Sequence, residues 1–243
     1  MSPPLKPPEP ASARPPETEA AFEAWNAAMV AKYDNELFHQ HPSRLVRYLE
    51  TRRVRKVLQL LHCRRSDHVL EVGCGAGILL AQVPSDHRFG VDLSEAYLEK
   101  ARARCGPAVT LQKANAEQLP CDDRRFDRVY CSEVLEHVLH PEQVVAELAR
   151  VTRPDGRVVL TVPADRTIIR TKKLLRALGL YALVLGSAQA GQYQPPDDNE
   201  WHLHHFDLKM LRGCTQGRLV ELKMVALPAR LLPVHYIGAY RPA

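Results

Sequence analysis

The sequence predicts an α/β protein with a mostly parallel, Rossmann-like, seven-stranded sheet covered by helices on both faces. Three observations carry this. From residue 68 onward, apolar segments at 68–72, 87–91, 108–112, 127–131 and 157–162 alternate with helical patterns at about 77–83, 95–104, 133–138 and 141–151. Alternation of this kind implies right-handed βαβ crossovers and a parallel sheet. The first segment runs into a glycine-rich turn and a helix start, from His68-Val69-Leu70-Glu71-Val72 through Gly73-Cys74-Gly75-Ala76-Gly77 to Leu80. Two last apolar segments, about 217–226 and 231–240, read as an antiparallel pair at one edge of the sheet.

The rest of the chain follows in order. Residues 1–17 hold seven prolines and few large apolar side chains, the composition of a disordered tail. Residues 18–40 read as a helix, with Phe22, Trp25, Met29 and Tyr33 at steps of three and four. Trp25 and Tyr33 fit a core role better than that of covering a ligand. His41-Pro42-Ser43 interrupts, and a second helix follows over about 43–62. One of its faces is apolar, and the other carries Arg44, Arg47, Arg52, Arg53, Arg55 and Lys56. A solvated helix face is the simplest account; attraction of an acidic substrate or an anionic membrane surface is the alternative. Arg153-Pro154-Asp155-Gly156 fits a turn from a helix end into a strand. Residues 164–200 break the alternation with a helix over about 166–185, basic early and apolar late, then a loop with Gly186, Gly191, Pro195 and Pro196. An insertion of this length in an α/β domain reads as a lid or binding element. The chain returns with Trp201-His202-Leu203-His204-His205-Phe206 and a helix near 207–213. The organisation is therefore a tail at 1–17, a helical cap at 18–64 and an α/β domain at 65–243 that contains the insertion.

Composition excludes several classes. The chain has 243 residues, 45% of them hydrophobic and 25% charged, as in an ordinary globular protein. No apolar run approaches the ~20 residues that cross a bilayer, and the proline-rich start lacks a secretory apolar core. The six cysteines are scattered without a CxxC pair, which fits reduced thiols in a cytoplasm. A net charge of +5 does not by itself call for nucleic acid.

The motifs narrow the ligand. A dinucleotide fingerprint, G-x-G-x-x-G, needs glycine where this chain has Ile78. The pattern from Glu71 to Gly77 is instead E-x-G-x-G-x-G, which resembles the first motif of the class I S-adenosylmethionine-dependent methyltransferases. Three more stretches resemble the same family in order. Asp92, in Gly90-Val91-Asp92-Leu93-Ser94, lies 21 residues after Glu71, where a carboxylate accepts from both ribose hydroxyls; Ser94 suits the helix cap better than Asp92 does. Ala114-Asn115-Ala116-Glu117 matches the adenine-facing segment, with Asn115 where relatives often carry aspartate; its amide oxygen still accepts from the adenine amino group. Ser132-Glu133-Val134-Leu135-Glu136-His137-Val138 resembles the segment after strand four in the ubiquinone-biosynthesis O-methyltransferases. The resemblance covers about residues 65–163. It implies S-adenosylmethionine as cofactor, held by Glu71, Gly73, Gly75, Gly77, Asp92, Leu93, Asn115, Ala116, Ser132 and Glu133.

In some of these relatives an E-x-x-E-H spacing binds a divalent metal such as magnesium. On a helix, Glu133, Glu136 and His137 share one face, which permits such a site. The same residues order the site in methyltransferases without a metal, and that account is preferred. The sulfonium cofactor is already activated, so the protein's tasks are alignment, exclusion of water and removal of the acceptor's proton. Histidine suits the last task, with His137, His202, His204 and His205 as candidates. In an extended segment His202 and His204 would share one face and His205 the other. Hydrogen bonding that closes the lid is the equal alternative. The acceptor expected is a small hydroxylated or phenolic molecule. The alternatives are a lipid or amphiphilic acceptor at a membrane face, and a cofactor-binding scaffold without catalysis. Nucleic acid is not expected: no Asn-Pro-Pro-Tyr type motif follows strand four, and no aromatic-basic interleaving occurs.

Overall fold

A computed structural model describes residues 18–32, 41, 43–185 and 202–243. The proline-rich tail, Tyr33, the loop at 186–200 and Trp201 lie outside the described residues.

The chain opens with helices α1 (Glu19–Lys32) and α2 (Arg44–Leu61). The alternating part then runs β1 (His68–Val72), β2 (His87–Asp92), α3 (Glu95–Cys105), β3 (Val109–Lys113), β4 (Phe126–Ser132), α4 (Pro141–Val151) and β5 (Thr152–Pro163). Helices α5 (Asp165–Ala177), α6 (Tyr181–Leu185) and α7 (Leu208–Thr215) precede the final strands β6 (Leu219–Ala229) and β7 (Leu232–Pro242). One seven-stranded sheet has the order β3-β2-β1-β4-β5-β7-β6. Strands β1 to β5 pair in parallel, and β7 runs antiparallel to both β5 and β6. The terminal pair forms the expected edge.

The apolar runs are what a sheet covered on both faces requires. On one face, Val144 and Leu148 of α4 and Leu211 of α7 pack with Leu70, Val129 and Leu160 of the strands. On the other, Val57 and Leu61 of α2 pack on Val69, Tyr130, Val159 and Ile237. The strand order reverses between β1 and β4. The crevice outside their carboxyl ends is the place where doubly wound sheets bind ligands.

Four local expectations are corrected. The stretch 77–83 forms only a single 3-10 turn, Leu80–Gln82. Pro84 follows, and Val83 before it is extended at ψ 126°, which stops a longer helix. Residues 133–138 form a turn and not a helix. Glu133 takes a left-handed φ of 56°, and its N–H bonds the Thr161 carbonyl of β5 at 3.1 Å. The Glu136 carbonyl accepts from the N–H groups of Leu203 and His204, so it points away from a helical ladder. The helix at 166–185 breaks at Gly179, whose φ of 67° ends one segment before α6 begins. The stretch Arg153–Gly156 lies inside β5 as a bulge, between the register pairs Phe126↔Thr152 and Arg128↔Arg157.

Candidate functional site

The glycine turn is built for close approach. Gly73, Gly75 and Gly77 all have positive φ, at 72°, 50° and 74°. The N–H groups of Gly73 and Cys74 bond the Val91 carbonyl at 2.8 and 2.9 Å, tying the turn to β2. A Cβ on Gly73 would meet Val134 Cγ2 at 2.3 Å, and one on Gly77 would meet Cys105 Sγ at 2.9 Å. A Cβ on Gly75 would meet nothing within 4 Å, so the middle of the turn faces open space.

Asp92 ends β2 beside this turn. Its Oδ2 accepts from Gly75 N–H and its Oδ1 from Ser94 N–H, both at 2.8 Å. Burial raises its carboxyl, and the N–H groups of Ser94, Gly75 and Leu93 oppose the rise. Ser94 itself caps α3, accepting from Tyr97 N–H. Glu71 lies beneath the turn, buried, and accepts from Tyr130 Oη at 2.9 Å. Burial pushes its carboxyl up to about 8, against the Tyr130 hydrogen bond. Asn115 follows β3; its Oδ1 accepts from Glu117 N–H at 3.0 Å and shapes the loop. Ala116 packs against the core next to it. The Glu117 carboxylate accepts from the N–H groups of Leu139 and His140, which locks the loop after β3 to the loop after β4. Helix α1 closes this end: Phe22, Trp25 and Met29 pack on Leu93, Leu139 and Leu203. Trp25 is thus core, as its spacing suggested.

At the end of β4 sits a polar network that the sequence did not announce. Arg53 of α2 is buried and not part of a solvated basic face. Its guanidinium bonds Ser132 Oγ and forms an ion pair with Glu50 at 2.7 Å. Burial opposes its charge, yet the carboxylates of Glu50, Glu133 and Glu136 hold its pKa above the ordinary value. Thr161 Oγ1 donates to Glu133 Oε1 at 2.7 Å, and His235 Nε2 lies 3.7 Å from Glu50 and 3.6 Å from Glu133. The signal for this network was a charged pair, Glu50 and Arg53 at i and i+3, on the stripe that continues to Val54 and Val57. The clustered arginines around it masked that pair.

The histidines divide into two roles. His202 Nδ1 lies 3.0 Å from Oδ1 of Asp165, a carboxylate only 1% exposed. The other carboxylate oxygen accepts from Phe206 N–H at 3.1 Å and lies 3.8 Å from His205 Nδ1. His202 also meets His137 edge to face at 5.0 Å between ring centres. His204 turns the other way, its Nε2 bonding the carbonyls of Val138 and Leu139 at 2.9 and 3.2 Å. The expected alternation is therefore corrected: His202 and His205 share Asp165, while His204 ties the returning chain to the loop after β4. The segment is irregular and not a strand, which removes the twofold periodicity. Asp165 itself was missed, because an acidic residue opening a helix ordinarily reads as favourable end charge.

The expected metal set changes with the loss of the 133–138 helix. Among the described residues, Glu136, His137 and His202 have ligand atoms within 4.8 Å of one another, and Glu133 is not with them. Glu136 is buried, with one oxygen lacking a hydrogen-bond partner, and burial followed by Glu133 raises its carboxyl well above the carboxylate range. Two imidazoles and one carboxylate do not suit magnesium, which takes oxygen ligands in an octahedron.

An α/β sheet with a glycine turn at its switch point and an acidic residue closing the neighbouring strand is the arrangement in which doubly wound folds bind nucleotide cofactors. Comparison with known proteins narrows this class. A family model described as a methyltransferase domain matches residues 70–160. A ubiquinone biosynthesis O-methyltransferase from Alkalilimnicola ehrlichii is 32% identical over 186 residues, which cover 74% of this chain and 71% of that protein. A protein of the same description from Aromatoleum aromaticum is 41% identical over 165 residues, covering 65% of this chain and 66% of that one. Among solved structures, the N-methyltransferase NodS from Bradyrhizobium japonicum in complex with S-adenosyl-L-homocysteine aligns with a TM-score of 0.62. That match covers 88% of this chain and 94% of NodS at 15% identity, a likeness of fold. The chain belongs to the class I S-adenosylmethionine-dependent methyltransferases. It spans 33% to 46% of the length of four other curated relatives it matches. Among the described residues, no helix is long and apolar enough to cross a membrane.

Proposed function

We propose that this chain methylates an oxygen of a small hydroxylated or phenolic molecule, with His202 as general base and Asp165 as the residue that positions it. The observation that carries the base assignment is the 3.0 Å contact between His202 Nδ1 and the buried Asp165 carboxylate. A carboxylate there accepts a hydrogen bond from Nδ1–H and leaves Nε2 unprotonated as the acceptor, the arrangement that makes imidazole a base.

S-adenosylmethionine, when bound, supplies a methyl group on a sulfonium that needs no further activation. The open face of the glycine turn supports placing it there. Gly73, Gly75 and Gly77 would line it, Asp92 and Leu93 would meet its ribose, and Asn115 and Ala116 its adenine. Ser132 and Glu133 would stand beside its methionine portion, fixed from behind by Arg53 and Thr161. The Asp92 oxygens, which accept from the backbone on one side, would accept from the ribose hydroxyls on the other. His202 would take the acceptor's hydroxyl proton on Nε2 as the new C–O bond forms and the donor's methyl–sulfur bond breaks. Helix α1, with its aromatic cluster over Leu93 and Leu139, excludes water from that end of the crevice. His137 orients His202 through its ring contact, and His204 holds the segment in place. The cap at 18–64 and the insertion at 164–200 would set acceptor choice.

The test is methyl transfer from labelled S-adenosylmethionine to catechols and other phenols. His202→Ala and Asp165→Asn should lower kcat by about 10²–10⁴ and shift its pH profile, while KM for the cofactor stays within threefold. Full turnover by His202→Ala would sink the assignment.

A further inference from the structure

We infer that His235, on β7, is a positioning residue for methyl transfer: its ring holds the Glu133–Glu136 turn that aligns the glycine turn with His202. The inference rests on the proposed function, in which His202 is the base.

The turn bears on both halves of the site. Near its start, Val134 packs so closely on Gly73 that a Cβ there would lie 2.3 Å from Val134 Cγ2. At its end, the Glu136 carbonyl accepts from Leu203 N–H at 2.8 Å and His204 N–H at 3.2 Å, directly after His202. A shift of this turn therefore changes the distance between methyl donor and base.

Glu133 opens the turn at a φ of 56°, a left-handed conformation that a residue with a Cβ keeps only when its surroundings impose it. Strand β5 supplies part of the restraint: Glu133 N–H bonds the Thr161 carbonyl at 3.1 Å, and Thr161 Oγ1 donates to Glu133 Oε1 at 2.7 Å. The other carboxylate oxygen, Oε2, lies 3.6 Å from His235 Nε2, and the same nitrogen lies 3.7 Å from Glu50 Oε1. His235 reaches both because it pairs with Pro163 at the carboxyl end of β5. It stands two residues from Ile237, hence on the sheet face that α2 covers. Arg53 completes the set, paired with Glu50 and bonded to Ser132 Oγ. One ring nitrogen thus stands between two carboxylates, and without it their like charges would push Glu133 away from Glu50.

The ring is held at a cost to the fold. His235 is 8% exposed, and its Nδ1 has no hydrogen-bond partner among the described residues. A proton on Nε2, toward the carboxylates, leaves Nδ1 a buried acceptor without a donor, which lowers stability. A leucine of similar bulk would avoid that loss. The site explains the polar ring; packing does not.

The test measures turnover, Tm and amide hydrogen exchange on the full chain. Leucine at 235 keeps the bulk and removes the donor, whereas glutamine returns an N–H near the position of Nε2. His235→Leu should lower kcat at least about tenfold, with KM for S-adenosylmethionine within about threefold and Tm within about 4 °C of wild type. His235→Gln should recover kcat to within about threefold of wild type. Added to His202→Ala, His235→Leu should cost nothing further, because both act through one alignment. Exchange in peptides covering 132–138 and 202–206 should rise at least about tenfold in His235→Leu, with α4 unchanged. Exchange is read without turnover. A wild type that methylates no acceptor would therefore defeat the proposed function alone, and the exchange result would still decide the placement. Wild-type kcat in His235→Leu, an additive loss on His202→Ala or unchanged exchange in both peptides would overturn the inference. So would a Tm loss beyond the stated margin, which would make the residue structural.

Discussion

Asp92→Ala tests the cofactor assignment and separates it from a merely structural role. The wild-type carboxylate accepts from Gly75 N–H and Ser94 N–H, each at 2.8 Å. A hydrogen bond to a charged group contributes about 1.5–3 kcal/mol, and water entering from the open side of the turn replaces part of each. The expected loss of unfolding free energy is therefore about 2–4 kcal/mol, or about 4–8 °C in Tm for a chain of this size. Cofactor affinity should fall by at least about tenfold, or 1.4 kcal/mol, because the acceptors for two ribose hydroxyls vanish as well. Asp92→Asn is the informative intermediate. Its one oxygen still serves one of the two N–H groups, while its amide nitrogen faces the other, donor against donor. Urea unfolding and calorimetric titration with S-adenosylhomocysteine read both quantities on the same samples. A destabilised Asp92→Ala that binds S-adenosylhomocysteine as tightly as wild type would refute the reasoning. The carboxylate would then build the turn and not touch the ligand.

Further consequences concern the turn, its support and the polar network. Gly73→Ala places a methyl 2.3 Å from Val134 Cγ2 at a φ of 72°; urea unfolding should show a loss of about 2–4 kcal/mol, partly restored by Val134→Ala. Glu71 has its folded pKa raised to about 8 from 4.5 by burial. Its contribution is therefore full below pH 4.5 and is lost as pH rises through about 8. Wild-type stability should fall by a few kcal/mol between pH 5 and 9 relative to Glu71→Gln, which removes that slope. Arg53→Ala strands Glu50 as a buried charge and should cost about 3–5 kcal/mol, whereas an exposed neighbour such as Arg55→Ala should change stability by less than about 0.5 kcal/mol.

How much of this was legible follows from which contacts are local. Strands β1 to β4 match the segments read as strands within one residue: β1 and β4, covered on both faces, carry apolar runs, and short loops punctuate all four. The turn at 73–77 and the cap by Ser94 follow from backbone rules that act within a few residues. The helix expected over 133–138 failed for the opposite reason. Its sequence is compatible with a helix, but Glu133 is held to Thr161 and Glu136 to Leu203 and His204, partners 28 and more residues away. The helix over 166–185 failed because one glycine, Gly179, falls where the chain turns. Arg53 and Asp165 escaped because a buried charge looks like a surface one until its partner is known. Glu50 supplies the first partner, and His202 with Phe206 N–H the second. The histidines were legible as a cluster. Their division, with His202 on a carboxylate and His204 on carbonyls, depended on the path of an irregular segment.

The most direct test of the central claim is transfer of a labelled methyl group from S-adenosylmethionine by the purified wild-type chain. The panel should hold catechols, other phenols and hydroxylated amphiphiles, with Asp92→Ala and His202→Ala in parallel. The account predicts an O-methylated product that requires both residues. Tight S-adenosylhomocysteine binding with no methylated product across the panel would contradict it and leave a cofactor-binding scaffold.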